Sequence, residues 1–164
     1  MATHPSTSWF VVVLLAVVAN AESISELASP GGLTYSIISN EKLSWFDATS
    51  FCQSRGWEIA SITVVEEFDY VDSQLIGRGI RNEMVWVGGT EIGNEDNYYW
   101  VVTSESVDLN KWDPAEVVNP AHKCLVMNKG FWRHNDCSVK GYFICLQPAD
   151  VPETPKARSA VRRS

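Results

Sequence analysis

Three absences limit the folds that this 164-residue sequence can adopt. It has no Cys-x-x-Cys pair, which argues against zinc ribbons and thioredoxin-like redox sites. It has no Asn-x-Ser/Thr sequon, so N-glycosylation at the standard acceptor is not expected. It also lacks an apolar run of the roughly twenty residues that a membrane-spanning helix needs. At this length we expect a single domain, and the lack of a spanning run predicts that it is soluble.

The first 21 residues are predicted to be a secretory signal peptide. They contain no Lys or Arg, but the apolar run 9–18 is followed by Ala19-Asn20-Ala21, which is typical of a cleavage site. A transmembrane anchor is the alternative, but the run is only about half the length that a span requires. We therefore expect a secreted, extracellular protein, in which cysteines form disulfides rather than bind metals.

Four cysteines are present: Cys52, Cys124, Cys137 and Cys145. They allow three pairings, and their number alone does not select one of them.

Charge is distributed unevenly over a chain whose net charge is −7. Acids outnumber bases over residues 22–146, and an acidic domain disfavours nucleic acid as a partner, because such affinity comes largely from neutralised phosphates. The tail, 147–164, is basic and contains three prolines, so we expect it to be disordered. It could contact sulfated glycans, but a solubilising role is the preferred interpretation.

Capping signals predict two helices. Ser44 with Asp47 three residues later predicts a first helix with one buried stripe, which Gly56 ends. Thr63 with Glu66 reads as a capping box for a second helix over 64–75, on which Glu67 would lie on a solvated face. The buried stripes of the two helices are predicted to be Trp45, Ala48 and Cys52, and Phe68, Val71 and Leu75.

The remaining segments predict strands and loops. Residues 22–32 contain Pro30-Gly31-Gly32 and are predicted to be a lead-in, so that the fold begins near Leu33. Strands are expected at 34–39, 84–88, 98–102, 123–127 and 141–145, with antiparallel pairing in the second half. Residues 103–122 are polar and aperiodic, and so long an irregular loop usually means function or disorder.

The order of these residues resembles a C-type lectin-like domain of the short form with two disulfides. The resemblance covers about residues 33–146. It is carried by Trp45-x-x-Ala48-x-x-x-Cys52, Trp86-Val87-Gly88-Gly89-Thr90, Trp112-x-Pro114-x-Glu116, Cys124, Trp132 before Cys137, and Tyr142-Phe143-Ile144-Cys145. The resemblance implies an α+β fold in which two helices pack on antiparallel sheets with a long irregular loop. It also implies the pairs Cys52–Cys145 and Cys124–Cys137.

The calcium site that the resemblance implies is incomplete in this sequence. Family members that bind sugars typically hold calcium with a Glu-Pro-Asn or Gln-Pro-Asp triplet, a later acid, and an Asn-Asp pair directly after a tryptophan. Here those positions hold Glu116-Val117-Val118, then His122, then Arg133-His134. Only Glu116 remains, and Arg133 brings a positive charge that opposes calcium. We therefore expect a degenerate calcium site and no required cofactor.

Two alternatives for a metal remain open. Asn135-Asp136 could be the missing pair displaced by two residues, although both also suit a solvated turn before Cys137. Alternatively, Glu116, His122 and His134 could converge on zinc or copper, which bind imidazole and carboxylate.

The resemblance implies a recognition module that binds a glycan, a glycoprotein or a protein, with an innate-immune role among those known for the family. Trp132 or Tyr98 could stack on a sugar, or could belong to the core. Catalysis is not expected, because the few scattered histidines do not suggest a triad. The alternative is a structural or matrix module without carbohydrate binding, for which the acid-rich loop 91–97 would suit a mineral, ice or protein surface; a solvated turn is the preferred interpretation of that loop.

Overall fold

A computed structural model of the chain describes residues 25–94, 97–117 and 119–148. The predicted signal peptide, the tail from residue 149, part of the acid-rich loop (95–96) and Val118 lie outside these residues. No helix in the described ranges is long and apolar enough to cross a membrane.

The described chain contains two helices and eight strands. In order they are β1 (Ser25–Ala28), β2 (Thr34–Leu43), α1 (Trp45–Ser54), β3 (Glu58–Ile59), α2 (Val65–Gly77), β4 (Val85–Thr90), β5 (Tyr99–Trp100), β6 (Cys124–Asn128), β7 (Phe131–Asn135) and β8 (Gly141–Gln147). This α+β arrangement confirms the predicted fold class. The predicted strand at 98–102 shortens to β5, because a turn begins at Val101.

The first helix begins and ends at the predicted signals. The Ser44 hydroxyl accepts a hydrogen bond from the Asp47 backbone N–H at 3.1 Å, which satisfies one free donor of the first turn. Gly56 follows with φ of 71°, a left-handed conformation that glycine adopts without strain. The stripe of Trp45, Ala48 and Cys52 is buried as predicted.

The second helix begins one residue later than predicted, and the capping box is wrong. Its N-cap is Val64, which makes no side-chain capping hydrogen bond, so Thr63 lies one position too early for that role. Glu67 is also not on a solvated face: it is 4% exposed, and its Oε1 accepts a hydrogen bond from the Ser29 hydroxyl at 2.8 Å. The stripe of Phe68, Val71 and Leu75 is buried as predicted.

The segment predicted as a lead-in belongs partly to the sheet. β1 pairs antiparallel with β2, and Ser29 is buried against Glu67, so ordered structure begins before Leu33. At the other end β8 continues to Gln147, which pairs with Thr34. The two ends of the domain therefore lie side by side.

The sheet is mixed rather than wholly antiparallel. Its main strand order is β1-β2-β8-β4-β6-β7, with β3 on β8 and β5 on β4. β4 and β8 run parallel, whereas the other pairs are antiparallel. A parallel pair needs a long crossover connection, which the chain between these two strands supplies.

Two disulfides join elements that are distant along the chain. Cys52 of α1 bonds Cys145 of β8, and Cys124 of β6 bonds Cys137 just after β7. Both pairings agree with those that the resemblance implied. The second bond fixes the end of β7 against the start of β6, beside the point where the long loop returns to the sheet.

Candidate binding cleft

A cleft of about 330 Å³ lies where the long loop meets β7. Three regions line it: the turn after β4, the long loop between β5 and β6, and β7. The lining residues are Glu91, Tyr98, Trp112, Asp113, Glu116, Asn119, His122 and His134. The cleft thus brings together Glu116, His122 and His134, which the sequence marked as candidates.

Backbone hydrogen bonds hold the long loop on β7. Trp132 donates its N–H to the Lys111 carbonyl at 2.7 Å, and Asp113 donates to the Trp132 carbonyl at 3.1 Å. Two residues further along β7, the His134 N–H donates to Glu116 Oε1 at 3.2 Å. The loop therefore continues the sheet locally, and this fixes the side chains of Asp113 and Glu116 relative to the strand.

Arg133 joins the loop to the strand through charge. Its Nη1 donates to Glu116 Oε2 at 3.1 Å, and its Nη2 forms an ion pair with Asp113 Oδ2. The side chains of Asp113 and Glu116 are 8% and 15% exposed, whereas that of Arg133 is 31% exposed. A guanidinium presents its donors as a rigid fork, which suits two neighbouring carboxylates. One cation thus serves both acids of the loop.

The two histidines are tied to the loop through Asn119. The Asn119 backbone N–H donates to His134 Nε2 at 3.3 Å, and its side-chain Nδ2 lies 3.1 Å from His122 Nε2. The other ring nitrogen of His134, Nδ1, is 3.7 Å from Glu116 Oε1. The two imidazole rings have centroids 6.0 Å apart. Each ring therefore already has polar neighbours inside the loop.

Trp132 cannot stack on a ligand, so that part of the prediction is wrong. Its side chain is 0% exposed and packs edge to face against Phe68 and Trp100, with ring centroids 4.7 Å and 5.8 Å away. The alternation of side chains along β7 directs this position into the core. Trp132 is a core residue.

Tyr98 and Trp112 supply the aromatic surface of the cleft. Both are half-buried, and their ring centroids are 5.1 Å apart with an interplanar angle of 61°. The Tyr98 hydroxyl donates to the His122 carbonyl at 2.7 Å. Burial, followed by the nearby charges of Glu91 and Glu116, raises the pKa of Tyr98 above its ordinary value.

Sequence reasoning missed Trp112 and Asp113 as residues of the cleft. Trp112 served there only as a marker of the family, and Asp113 was not considered. Their position in the Trp112-Asp113-x-x-Glu116 segment, which pairs with a strand carrying Arg133, is the signal that could have identified them.

Asn135 and Asp136 lie away from the lining of the cleft. Asn135 Nδ2 contacts Met84 Sδ at 3.0 Å, and its Oδ1 accepts from the Asp136 N–H at 2.8 Å. Asp136 Oδ1 accepts from the Ser138 N–H at 2.8 Å, and this backbone hydrogen bond holds the pKa of Asp136 below its ordinary value. The pair is engaged in the turn that leads to Cys137, and its displaced metal-binding role stays a prediction.

Comparison with known proteins identifies the domain. The family model described as the lectin C-type domain matches residues 41–147, more than half of the chain. The chain belongs to the C-type lectin domain family. C-type lectin 37Da of Drosophila melanogaster is 28% identical over 119 residues, which is 73% of this chain and 60% of that protein. Human C-type mannose receptor 2 is 26% identical over 117 residues, which is 69% of this chain but 8% of the receptor.

Solved structures agree with this assignment. The mouse scavenger receptor C-type lectin carbohydrate-recognition domain superimposes with a TM-score of 0.62 at 25% identity, covering 71% of this chain and 90% of that one. Because the chain spans only part of the length of the curated relatives above, their whole activities do not transfer to it.

C-type lectins typically depend on calcium, but the residues of this cleft do not fit that ion. Calcium takes six to eight oxygen ligands, whereas here the carboxylates of Asp113 and Glu116 are held by the guanidinium of Arg133. Within residues 25–94, 97–117 and 119–148, no group of three or more His, Cys, Asp or Glu side chains is arranged to hold a metal ion. The zinc or copper hypothesis at Glu116, His122 and His134 stays a prediction, since these three meet in the cleft but contact other groups there.

Proposed function

We propose that this chain is a secreted C-type lectin-like recognition module that binds glycans, free or on a glycoprotein, through the cleft and without calcium. The observation that carries the proposal is the double ion pair of Arg133 with Asp113 and Glu116. A calcium ion would have to compete with a tethered cation for the same carboxylates, and would be repelled by it.

The chemistry of the cleft supports a sugar as the ligand. Sugars present both apolar ring faces and hydroxyl groups, and binding sites for such molecules combine aromatic walls with a few placed polar groups. Tyr98 and Trp112 provide the walls, and Glu91, Asn119 and His122 provide polar groups at the rim. No reaction is proposed, since the cleft presents binding groups without an arranged nucleophile and base.

Secretion and an innate-immune role are parts of the same proposal. The apolar run at 9–18 with Ala19-Asn20-Ala21 supports export, and two disulfides suit an oxidising compartment. A secreted module that binds surface glycans is suited to the recognition of microbial cells.

A glycan array, run once with calcium and once with chelator, tests the proposal. We expect the same glycans to bind in both conditions. Tyr98→Leu should weaken binding roughly 3- to 10-fold, because it removes one stacking face. Tyr99→Leu is the matched control: Tyr99 also donates its hydroxyl to a backbone carbonyl, that of Ile92 at 2.7 Å, but it does not line the cleft.

Two outcomes would contradict the proposal. Binding that chelator abolishes would show that calcium acts in the site after all. An array without any bound glycan, together with retention on a protein or matrix partner, would favour the structural or protein-interaction alternative.

A further inference from the structure

The charges around the cleft are unbalanced. Three carboxylates, those of Glu91, Asp113 and Glu116, line it. The guanidinium of Arg133 pairs with two of them, so three negative charges and one positive charge leave −2 while both imidazoles are neutral. Glu116 also accepts a hydrogen bond from the His134 N–H, whereas Glu91 belongs to the turn after β4 and lines the cleft from that turn. A ligand that enters the cleft therefore meets a negative site.

The aromatic walls also favour positive charge. Tyr98 and Trp112 lie at 61° to each other with centroids 5.1 Å apart, so they form an angled pair beside the carboxylates. The face of an aromatic ring carries negative charge density, and it attracts ammonium groups, most strongly where water is partly excluded. Both rings are half-buried, which satisfies that condition.

The negative charge of the cleft also acts on the hydroxyl of Tyr98. After burial, the charges of Glu91 and Glu116 are the causes that raise its pKa. The negative potential therefore extends to the aromatic wall, where a ligand would lie.

We propose that the cleft binds an organic ammonium group carried by a glycan, with Tyr98 and Trp112 as its walls and Glu91 as its counter-ion. The group would be the free amine of an amino sugar or a quaternary ammonium substituent. This inference rests on the proposed function and narrows its ligand class. It excludes sulfated and other anionic sugars as preferred ligands of this site, since the carboxylates would repel them.

Choline and its neutral carbon isostere, in which carbon replaces the quaternary nitrogen, form the direct test. The two probes match in shape and differ in charge. Binding is followed by the change in tryptophan fluorescence, to which Trp112 of the cleft contributes. We expect choline to bind at least about tenfold more tightly than the isostere, as a partly desolvated cation–π contact with a counter-ion implies. Equal affinity for both probes would overturn the inference.

Substitution of the counter-ion locates the site. Glu91→Gln keeps the shape of the side chain and should weaken choline binding roughly 5- to 10-fold. Glu105→Gln is the control, because Glu105 is an exposed acid of the long loop that does not line this cleft. If both variants weaken binding equally, the effect is one of overall charge and the assignment to Glu91 fails.

Glycan probes separate this inference from the proposed function. A glucosamine oligomer should bind more tightly than its N-acetylated counterpart, which lacks the charge, and its affinity relative to choline shows which ammonium source the cleft prefers. If acetylated and free-amine oligomers bind equally, the ammonium inference fails while the proposed function stands. If choline binds but no glycan does, the proposed function fails, and with it the glycan part of this inference.

Discussion

The Arg133→Met substitution removes the guanidinium that joins the long loop to β7 and keeps most of the apolar length of the side chain. In the native protein the guanidinium contacts Asp113 and Glu116, whose side chains are 8% and 15% exposed. After the substitution, these two poorly hydrated carboxylates lose the guanidinium that pairs with both of them. The loop should therefore be less stable on the strand.

The size of the effect follows from the burial of these groups. Breaking a buried ion pair by removing one partner costs about 3–5 kcal/mol, whereas exposed pairs contribute about 0–1 kcal/mol. Arg133 is 31% exposed, so this cluster lies between the two limits. We expect Arg133→Met to lower the free energy of unfolding by about 2 kcal/mol.

Urea unfolding with both disulfides intact, followed by tryptophan fluorescence, measures this loss. Lys42→Met is the matched control: its pair with Glu83 has side chains 42% and 46% exposed, so solvent screens it and its loss should change the unfolding free energy less than Arg133→Met does. The double variant Arg133→Met/Glu116→Gln should recover part of the loss, because one unpaired charge disappears with its partner. If Arg133→Met costs no more than Lys42→Met, the reasoning about the loop is refuted.

Three further substitutions test the packing that positions the site. Trp132→Ala should cost about 3–5 kcal/mol in unfolding free energy, because it empties a core position; full stability with a selective loss of glycan binding would contradict its burial. Ser29→Ala should cost about 1–3 kcal/mol in urea unfolding, since it removes the hydrogen-bond donor from buried Glu67, and an unchanged midpoint would count against that contact. Gly89→Ala would place a Cβ 2.5 Å from Leu125 Cδ2, so its melting temperature should fall by an amount equivalent to about 1–3 kcal/mol; a neutral result would disprove the close approach.

Local signals predicted the first helix well because its determinants lie close together in the chain. Ser44 and Asp47 are three residues apart, and the buried stripe follows from helical spacing alone. The second helix was predicted less well, because a side chain of its first turn contacts a residue that is distant in the sequence. Glu67 is buried by Ser29, 38 residues earlier, and no local pattern reports that contact. The strand β1 was not predicted either, because it depends on pairing with β2 and not on a local sequence pattern.

The candidate cleft was predicted in some of its residues but not in its geometry. The ligand positions that the family resemblance implies identified Glu116, His122 and His134, and the structure brings these three into one cleft. The sequence also predicted that the charge of Arg133 would oppose calcium. It could not show that the guanidinium contacts two carboxylates, because that requires the register in which the loop pairs with β7.

A calcium titration of the purified protein by calorimetry tests the central claim most directly. Because Arg133 pairs with Asp113 and Glu116, we predict no saturable heat even at calcium concentrations well above about 1 mM. That concentration is the dissociation constant of the weakest extracellular calcium-binding modules. The unfolding midpoint should likewise not change with calcium, since an ion that does not bind the native state cannot stabilise it. Saturable calcium binding that Glu116→Gln abolishes would contradict the account, because it would place the ion at the carboxylate that we assign to Arg133.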